Sequence, residues 1–136
     1  MMVEMELNKI VIDERRHDQL IVLKEKGGNR ILPIVIGLVE ASAIKLKLSG
    51  FNPPRPLTHD LLHNTIEHLQ ASLEKVVIDK LEENTFHAKL ILKTESGQTK
   101  IVDARPSDSI ALAVRAHAPI FVVEEVIEKS KDFQNL

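Results

Sequence analysis

The segment from Asp103 to Ala118 constrains the fold most, because it joins a dense polar cluster to the most apolar helical run in the sequence. From Ile110 to Ala118 only Arg115 and His117 interrupt the apolar residues, and a helix that is apolar around its whole circumference is a buried one. Pro106 suits the first position of that helix, and the apolar residues just before Asp103 indicate the end of a strand. The helix therefore lies inside the fold.

A polar cluster is expected where that strand ends and the helix begins. Asp103, Arg105, Ser107 and Asp108 place two carboxylates and a guanidinium near the backbone amides that the first turn of a helix leaves without partners. This combination predicts an anion or metal site. Ser and Asp are also ordinary capping residues, and an arginine between two aspartates can simply tie the strand to the helix. Spacing alone leaves both interpretations open.

Composition restricts the class of protein. A chain of 136 residues is long enough for one domain with its own core, and without cysteine it has neither disulfides nor thiolate metal ligands. No segment approaches the roughly 20 apolar residues of a membrane span, so we expect a cytoplasmic protein with no membrane partner. The formal net charge is -2 and aromatic residues make up 3% of the chain. Contacts with nucleic acid would therefore fall on the phosphate backbone rather than on stacked bases.

Seven segments carry the residue pattern of strands and four carry that of helices. The pattern predicts an α+β fold over residues 1–128, with a mostly antiparallel sheet, three main helices packed against it, and a polar tail over residues 129–136. The predicted strands are Val3–Ile12 with a bulge near Asn8, Asp18–Lys26, Arg30–Ile36, Lys75–Leu81, Thr85–Thr94, Thr99–Asp103 and Ile120–Val123. The predicted helices are Leu38–Leu48, His59–Ala71, the buried helix from Pro106 onward, and Glu124–Lys131.

Two local features sharpen this prediction. Pro33 lacks the amide hydrogen that a central strand needs, so its strand should lie at an edge of the sheet or carry a bulge. Thr58 is a suitable N-terminal cap for the second helix. The expected buried face of that helix consists of Leu61, Leu62, Thr65, Ile66 and Leu69.

The sequence HDLLH at His59–His63 imitates the zinc-protease pattern HExxH, in which two histidines bind zinc from one helical face and the glutamate activates water. Asp60 has a shorter carboxylate, and no third ligand follows at a recognisable offset. Two histidines beside the apolar face of a helix account for the spacing more simply. The sequence contains no phosphate-binding glycine loop, nucleophile elbow or dinucleotide fingerprint, which sets aside the classes that depend on them.

Four carboxylates are available for metal-assisted chemistry on phosphodiesters, which needs hard oxygen ligands for Mg²⁺ or Mn²⁺ and a cation at the phosphate. Arg55 and Arg105 can supply that cation. Amide dipoles at helix starts also favour anions, but capping alone produces the same placement of charged residues. Glu40, for example, could close a capping box with the amide of Gly37 or lie in a functional cleft. The four carboxylates are Glu40, Asp60, Asp103 and Asp108.

Several longer motifs resemble one family. They are LPIVIG and LVEASAI between Ile31 and Ile44, RPLTHDLL at Arg55–Leu62, TFHAKL at Thr85–Leu90 and DARPSDSIALAVRAHAPIFV at Asp103–Val122. In this order they are similar to the bifunctional nuclease family over roughly residues 3–128. The resemblance implies a compact α+β domain that forms a homodimer and hydrolyses both DNA and RNA. The polar residues that match the family motifs are Glu40, Arg55, Thr58, His59, Asp60, Asp103, Arg105, Ser107 and Asp108.

The first functional hypothesis is therefore a nuclease. Asp103 and Asp108, with Glu40 or Asp60, would hold a divalent cation that activates water. Arg55 and Arg105 would bind the scissile phosphate, with Thr58 and Ser107 as further substrate-binding residues. His59 would act as general acid or base.

Two other hypotheses remain. The chain could be a non-catalytic regulatory module whose Arg55 and Arg105 pocket binds a small anion or a partner's carboxylate, or the cluster could only stabilise the fold. The nuclease hypothesis requires acidic and guanidinium groups from distant segments to meet in one hollow that solvent reaches. The apolar circumference of Ile110–Ala118 also indicates packing against a second copy, so we expect a homodimer.

Overall fold

The computed structural model describes residues 1–134, which form a seven-stranded sheet and four helices. The helices have 11 residues each, and none in this part of the chain is long and apolar enough to cross a membrane. The elements in chain order are β1 Met2–Val11, β2 Asp18–Glu25, β3 Ile31–Gly37, α1 Leu38–Leu48, α2 Thr58–His68, β4 Ser72–Glu82, β5 Thr85–Lys93, β6 Thr99–Ala104, α3 Pro106–Ala116, β7 Ile120–Val123 and α4 Glu124–Gln134.

Two antiparallel meanders build the sheet. The strand order is β3-β2-β1-β7-β4-β5-β6, so β7 lies between the first meander and the second. It pairs antiparallel with β1 and parallel with β4, where Val77 is opposite Phe121. A mostly antiparallel α+β fold is thereby confirmed.

The expected number of main helices was wrong, because α4 also packs on the core. Val126 and Ile127 of α4 are buried within it, and Arg30 pairs with Glu124 at the start of the helix. The sequence pattern did not reveal these contacts, because α4 is mostly polar and its partners lie far away in the sequence. The end of the predicted tail, residues 135–136, lies outside the described residues.

Helix α3 is buried, as its composition predicted. Its residues from Ile110 to Ala113 are at most 1% exposed and contact the core side of the sheet and α1. Pro106 is at the first helical position, and His117 ends the helix in the left-handed conformation with φ of 54°. The sheet and the other helices of the same chain therefore cover α3, and its apolar circumference gives no independent support for a dimer.

The details of the strands follow from local sequence. Asn8 is skipped in the pairing of β1 with β2, which confirms the bulge, and β3 is an edge strand, as Pro33 predicted. Strand β4 is longer than expected. Shifts of register at Glu74 and Asp79 interrupt the alternation of apolar residues there, and this interruption hid the full length of β4 from the sequence pattern.

The expected buried face of α2 was right for Ile66 and wrong for Leu61, Leu62, Thr65 and Leu69. Leu61 and Leu69 are 60% and 73% exposed, whereas His59 and Ile66, two helical turns apart, face the interior. The predicted cap was also wrong, because Leu57 is the N-cap and Thr58 is the first helical residue. The amide of Leu57 donates to Asp60 Oδ2 at 2.9 Å. Polar contacts at the start of α2, rather than its leucines, set the rotation of this helix.

Candidate functional site

Four of the residues expected at the site form one continuous chain of polar contacts. Arg105 is in the middle: its Nε donates to Asp108 Oδ2 at 2.9 Å, and its Nη2 donates to Glu40 Oε1 at 3.1 Å. The other Asp108 oxygen, Oδ1, lies 2.9 Å from His59 Nε2. These residues come from α1, α2, the residue before α3 and the first turn of α3. We call Glu40, His59, Arg105 and Asp108 the four-residue site.

Local backbone geometry aims the two central residues at each other. Arg105 has an extended backbone and immediately precedes α3, and Asp108 lies in the first turn of that helix. Pro106 between them fixes the start of the helix because its ring restricts φ to helical values. The contact between Arg105 and Asp108 is therefore built into the DARPSD motif.

Charge stabilises the ionised forms of both central residues. Burial raises the pKa of Asp108, but the hydrogen bonds with His59 and Arg105 outweigh it, so this pKa lies below its ordinary value of 3.8. The hydrogen bond to Asp108 is the main reason that the pKa of Arg105 is raised. The Arg105 side chain is still 67% exposed, so the site is open to water.

Glu40 reaches the site because Gly37 leaves room for it. A β-carbon on Gly37 would lie 2.5 Å from Glu40 Oε2, so only glycine accommodates the carboxylate in this position. The expected capping box is not formed, because within residues 1–134 the Glu40 carboxylate accepts a hydrogen bond from Arg105 and none from the Gly37 amide. A functional role for this position of Glu40 stays a prediction.

His59 combines burial with one available ring nitrogen. The residue is 8% exposed, and Nε2 faces Asp108. Nδ1 makes no hydrogen bond within residues 1–134. Asp79 Oδ1 is the one side-chain nitrogen or oxygen in that part of the chain that is both buried and without a hydrogen-bond partner. Since Nδ1 also has no partner but is not such a buried atom, it is in contact with solvent. His59 thus has the arrangement of a base held by a carboxylate.

Asp60 belongs to a different pair. Its Oδ1 accepts a hydrogen bond from Arg115 Nε at 2.7 Å, and the Arg115 side chain is 3% exposed. Burial raises the pKa of Asp60, but the hydrogen bonds from the Leu57 amide and Arg115 have a larger effect, so the pKa lies below its ordinary value. Sequence reasoning missed Arg115 as the partner. The available signal was its position two helical turns after Asp108, as the one arginine in the apolar run.

Asp103 points to the face of the sheet opposite the core. The next residue of β6, Ala104, packs against the core, and successive residues of a strand point to opposite faces. There Asp103 Oδ1 lies 3.2 Å from Lys89 Nζ, and the Asp103 side chain is 78% exposed. Arg55 and Thr58 are exposed and form no ion pair or side-chain hydrogen bond with a described residue. The structure thus brings together four of the nine expected residues.

Ser107, two residues after Arg105, is buried and lines a groove of about 640 Å³. One wall of the groove is the edge strand β3, and the other is the hairpin of β4 and β5. Arg105 also lines it, so the groove opens onto the four-residue site. Most of its lining is apolar.

The donor set does not fit the expected Mg²⁺ or Mn²⁺. Among residues 1–134, no three histidine, aspartate or glutamate side chains are placed to hold a metal ion. Both Asp108 oxygens already accept hydrogen bonds, and Arg105 lies between Asp108 and Glu40. The two histidines of HDLLH also diverge, because His63 faces Glu67 at 3.6 Å. The arrangement of these side chains thus gives no support to the divalent cation expected from the sequence, and a chelator tests that expectation.

Comparisons with known proteins agree with the motif resemblance. Residues 21–134 match the model of a family described as the bifunctional nuclease domain. An uncharacterized protein of Mycobacterium tuberculosis is 44% identical over 121 residues, which cover 89% of this chain and 71% of that protein.

Plant relatives are more distant and longer. "Bifunctional nuclease 2" of Oryza sativa subsp. japonica is 28% identical over 114 residues, and "Bifunctional nuclease 1" of Arabidopsis thaliana is 24% identical over 112. The matches cover 82% and 81% of this chain but only 35% and 34% of the plant proteins. Since the family model spans most of the chain, the chain belongs to the bifunctional nuclease domain family.

Proposed function

We propose that the four-residue site hydrolyses phosphodiester bonds of DNA and RNA. The observation that carries this proposal is that one carboxylate, Asp108, contacts an imidazole through one oxygen and an exposed guanidinium through the other. A general base and a phosphate-binding cation are thereby side by side. Family membership and the names of the plant relatives support nuclease chemistry.

In the proposed reaction His59 Nε2 carries the proton donated to Asp108, which leaves Nδ1 as the basic nitrogen. Nδ1 accepts a proton from water as the water oxygen attacks phosphorus. The bond from phosphorus to the leaving oxygen breaks on the side opposite the attacking water, so the leaving oxygen takes a proton from solvent and the protonated imidazole returns its proton to solvent. Arg105 donates to the non-bridging phosphate oxygens and offsets the negative charge that develops on them.

Glu40 positions Arg105 in this proposal. It accepts a hydrogen bond from Nη2, while Asp108 accepts one from Nε, so two carboxylates hold the guanidinium plane. A held guanidinium loses less side-chain entropy when phosphate binds than a free one does. Loss of Glu40 should therefore raise KM more than it lowers kcat.

The direct test measures hydrolysis of labelled single-stranded DNA and RNA oligonucleotides. We expect His59→Gln to lower kcat by at least about 100-fold, because the general base is removed. His63→Gln is the matched control, since His63 lies one turn further along the same helix and contacts Glu67 instead of Asp108. Equal losses in the two variants, or wild-type kcat in His59→Gln with its melting temperature unchanged, would overturn the proposal.

A chelator separates two versions of the chemistry. From the donor set we expect hydrolysis to continue in excess EDTA. Loss of hydrolysis in EDTA and recovery with Mn²⁺ or Mg²⁺ would instead establish the divalent cation expected from the sequence. If a cation is established, Asp103→Asn would show whether the exposed carboxylate on the other sheet face takes part. In the reaction without a cation, Asp108→Asn alone should abolish activity.

The exposure of Arg105 also favours a second candidate, a regulatory module that binds an anion without catalysis. In that case wild-type protein would bind an oligonucleotide in a way that depends on Arg105, yet no preparation would hydrolyse it. If the cluster only stabilised the fold, Arg105→Gln would lower the melting temperature strongly and wild-type protein would bind no anion at all.

We also propose that the chain forms a homodimer, as the family resemblance implies. The support within the structure is the exposed apolar surface at α2, where Leu61 and Leu62 of the helix and Leu69 at its C-cap are 41% to 73% exposed. Large apolar side chains left exposed on one element are candidates for an interface.

A further inference from the structure

The groove beside Arg105 has features that the proposed reaction does not use. Its volume of about 640 Å³ lies within the range of small-molecule sites. Arg105 and Ser107 line it on the side of α3, and β3 lines it with Pro33 and Val35. Val35 is 61% exposed although it is apolar. A ligand in this groove would cover that side chain.

The lining suits a flat, neutral and partly polar group. Pro33, Val35 and Phe86 provide apolar surface, and Asn84 and Ser107 provide an amide and a hydroxyl group. Apolar walls with a few hydrogen-bonding groups are what a small-molecule pocket uses to orient a ligand. A nucleobase has apolar faces and polar edges, so it matches both parts of the lining.

The charged residues of the lining indicate which part of a ligand binds in the groove and which part binds at its mouth. Arg105 and Asp18 are the charged residues of the lining within the described part of the chain, and together they leave the groove without net charge. A phosphate gains most at Arg105, whose side chain is open to water, and a neutral group gains most between the apolar walls. A nucleotide satisfies both requirements when its phosphate lies at Arg105 and its base enters the groove.

We infer that this groove is a nucleobase subsite next to the scissile phosphate. The inference rests on the proposed function and specifies its substrate. A base can enter the groove only after it leaves its stack in a duplex, which costs free energy. The substrate class is therefore single-stranded or unpaired nucleic acid. The subsite would supply base contacts through its apolar walls, which the low aromatic content of the sequence did not predict.

The test is a set of binding measurements that need no turnover. Backbone amide NMR spectra of the full chain are recorded with inorganic phosphate, adenosine and adenosine monophosphate. We expect phosphate to shift the amides around Arg105, and the nucleotide to shift those of Val35 and Phe86 as well. Val35→Gln should weaken nucleotide binding about fivefold through lost apolar contact and leave phosphate binding unchanged. The matched control is Val102→Gln, because Val102 is an exposed valine, 41% accessible, on the opposite edge strand.

The outcomes separate this inference from the proposed function. Identical shifts with phosphate and nucleotide, or equal effects of Val35→Gln and Val102→Gln, would overturn the subsite even if the protein hydrolyses RNA. Base-dependent binding without hydrolysis would support the subsite and overturn the nuclease. Shifts at Val35 that appear on raising the protein concentration alone would show that a second copy fills the groove, and would also overturn the inference.

Discussion

The carboxylate of Glu40 occupies the space that a β-carbon on Gly37 would need, and from there it accepts a hydrogen bond from Arg105. The last residue of β3 and the first turn of α1 thus cooperate in one contact. The absence of a side chain at position 37 is therefore part of the site, although glycine itself donates nothing to it.

Gly37→Ala tests this relationship. The added methyl group should displace the flexible Glu40 side chain from Arg105, so we expect KM for an oligonucleotide to rise several-fold while the melting temperature changes little. Gly28→Ala is the matched control, because a β-carbon there would collide with the Glu25 carboxylate, away from the site. An unchanged KM in Gly37→Ala, or the same rise in Gly28→Ala, would contradict a positioning role for Glu40.

The pair of Asp60 and Arg115 should contribute to stability rather than to catalysis. Asp60→Asn leaves the buried guanidinium without its counter-charge, and we expect the free energy of unfolding to fall by about 3 kcal/mol in a urea titration. Combining Asp60→Leu with Arg115→Met should restore much of the loss. The control Asp103→Asn breaks an exposed pair with Lys89 and should cost less than about 1 kcal/mol. A loss of kcat in Asp60→Asn without a loss of stability would return Asp60 to the catalytic residues.

The lowered pKa of Asp108 predicts how stability depends on pH. A carboxyl group whose pKa is lower in the folded state stabilises the protein above its unfolded value of 3.8, and this contribution is lost as pH falls through the folded value. We expect Asp108→Asn to lower the free energy of unfolding at about pH 7 and to have a smaller effect at about pH 3. An effect of the same size at both pH values would show that the interaction with His59 and Arg105 is not ionic.

Light scattering tests the homodimer and its surface. The expected mass is twice the chain mass of 15.3 kDa, and Leu61→Lys should reduce it to that of one chain because a charge replaces an apolar contact. Ile101→Lys is the control, since Ile101 is 66% exposed on the edge strand β6 and Leu61 is 60% exposed on α2. A monomeric wild type would refute the dimer, and dissociation by Ile101→Lys alone would move the interface to the sheet edge.

The sequence predicted best where local and tertiary preferences agree. Pro106 and the apolar run after it set the start and burial of α3, and Asn8 and Pro33 marked a bulge and an edge strand. The contact between Arg105 and Asp108 was accessible too, because the residues are three apart at a helix start.

Contacts between distant segments could not be predicted from spacing. His59 and Asp108 are 49 residues apart, and Asp60 and Arg115 are 55 apart. Consecutive residues of α2 therefore bind α3 at its two ends, and these two contacts set which side of α2 faces inward. Hydrophobic periodicity placed the leucines inside because it carries no information about polar anchors.

The position of β7 has a consequence for how the chain is made. This strand is synthesised after the other six, yet it supplies the pairing that joins the two meanders. During translation, β1 of the first meander and β4 of the second each stay without a neighbouring strand on one side until residues 120–123 emerge from the ribosome. A pause or a premature stop just before Ile120 should therefore yield an aggregation-prone polypeptide rather than a shortened but soluble domain.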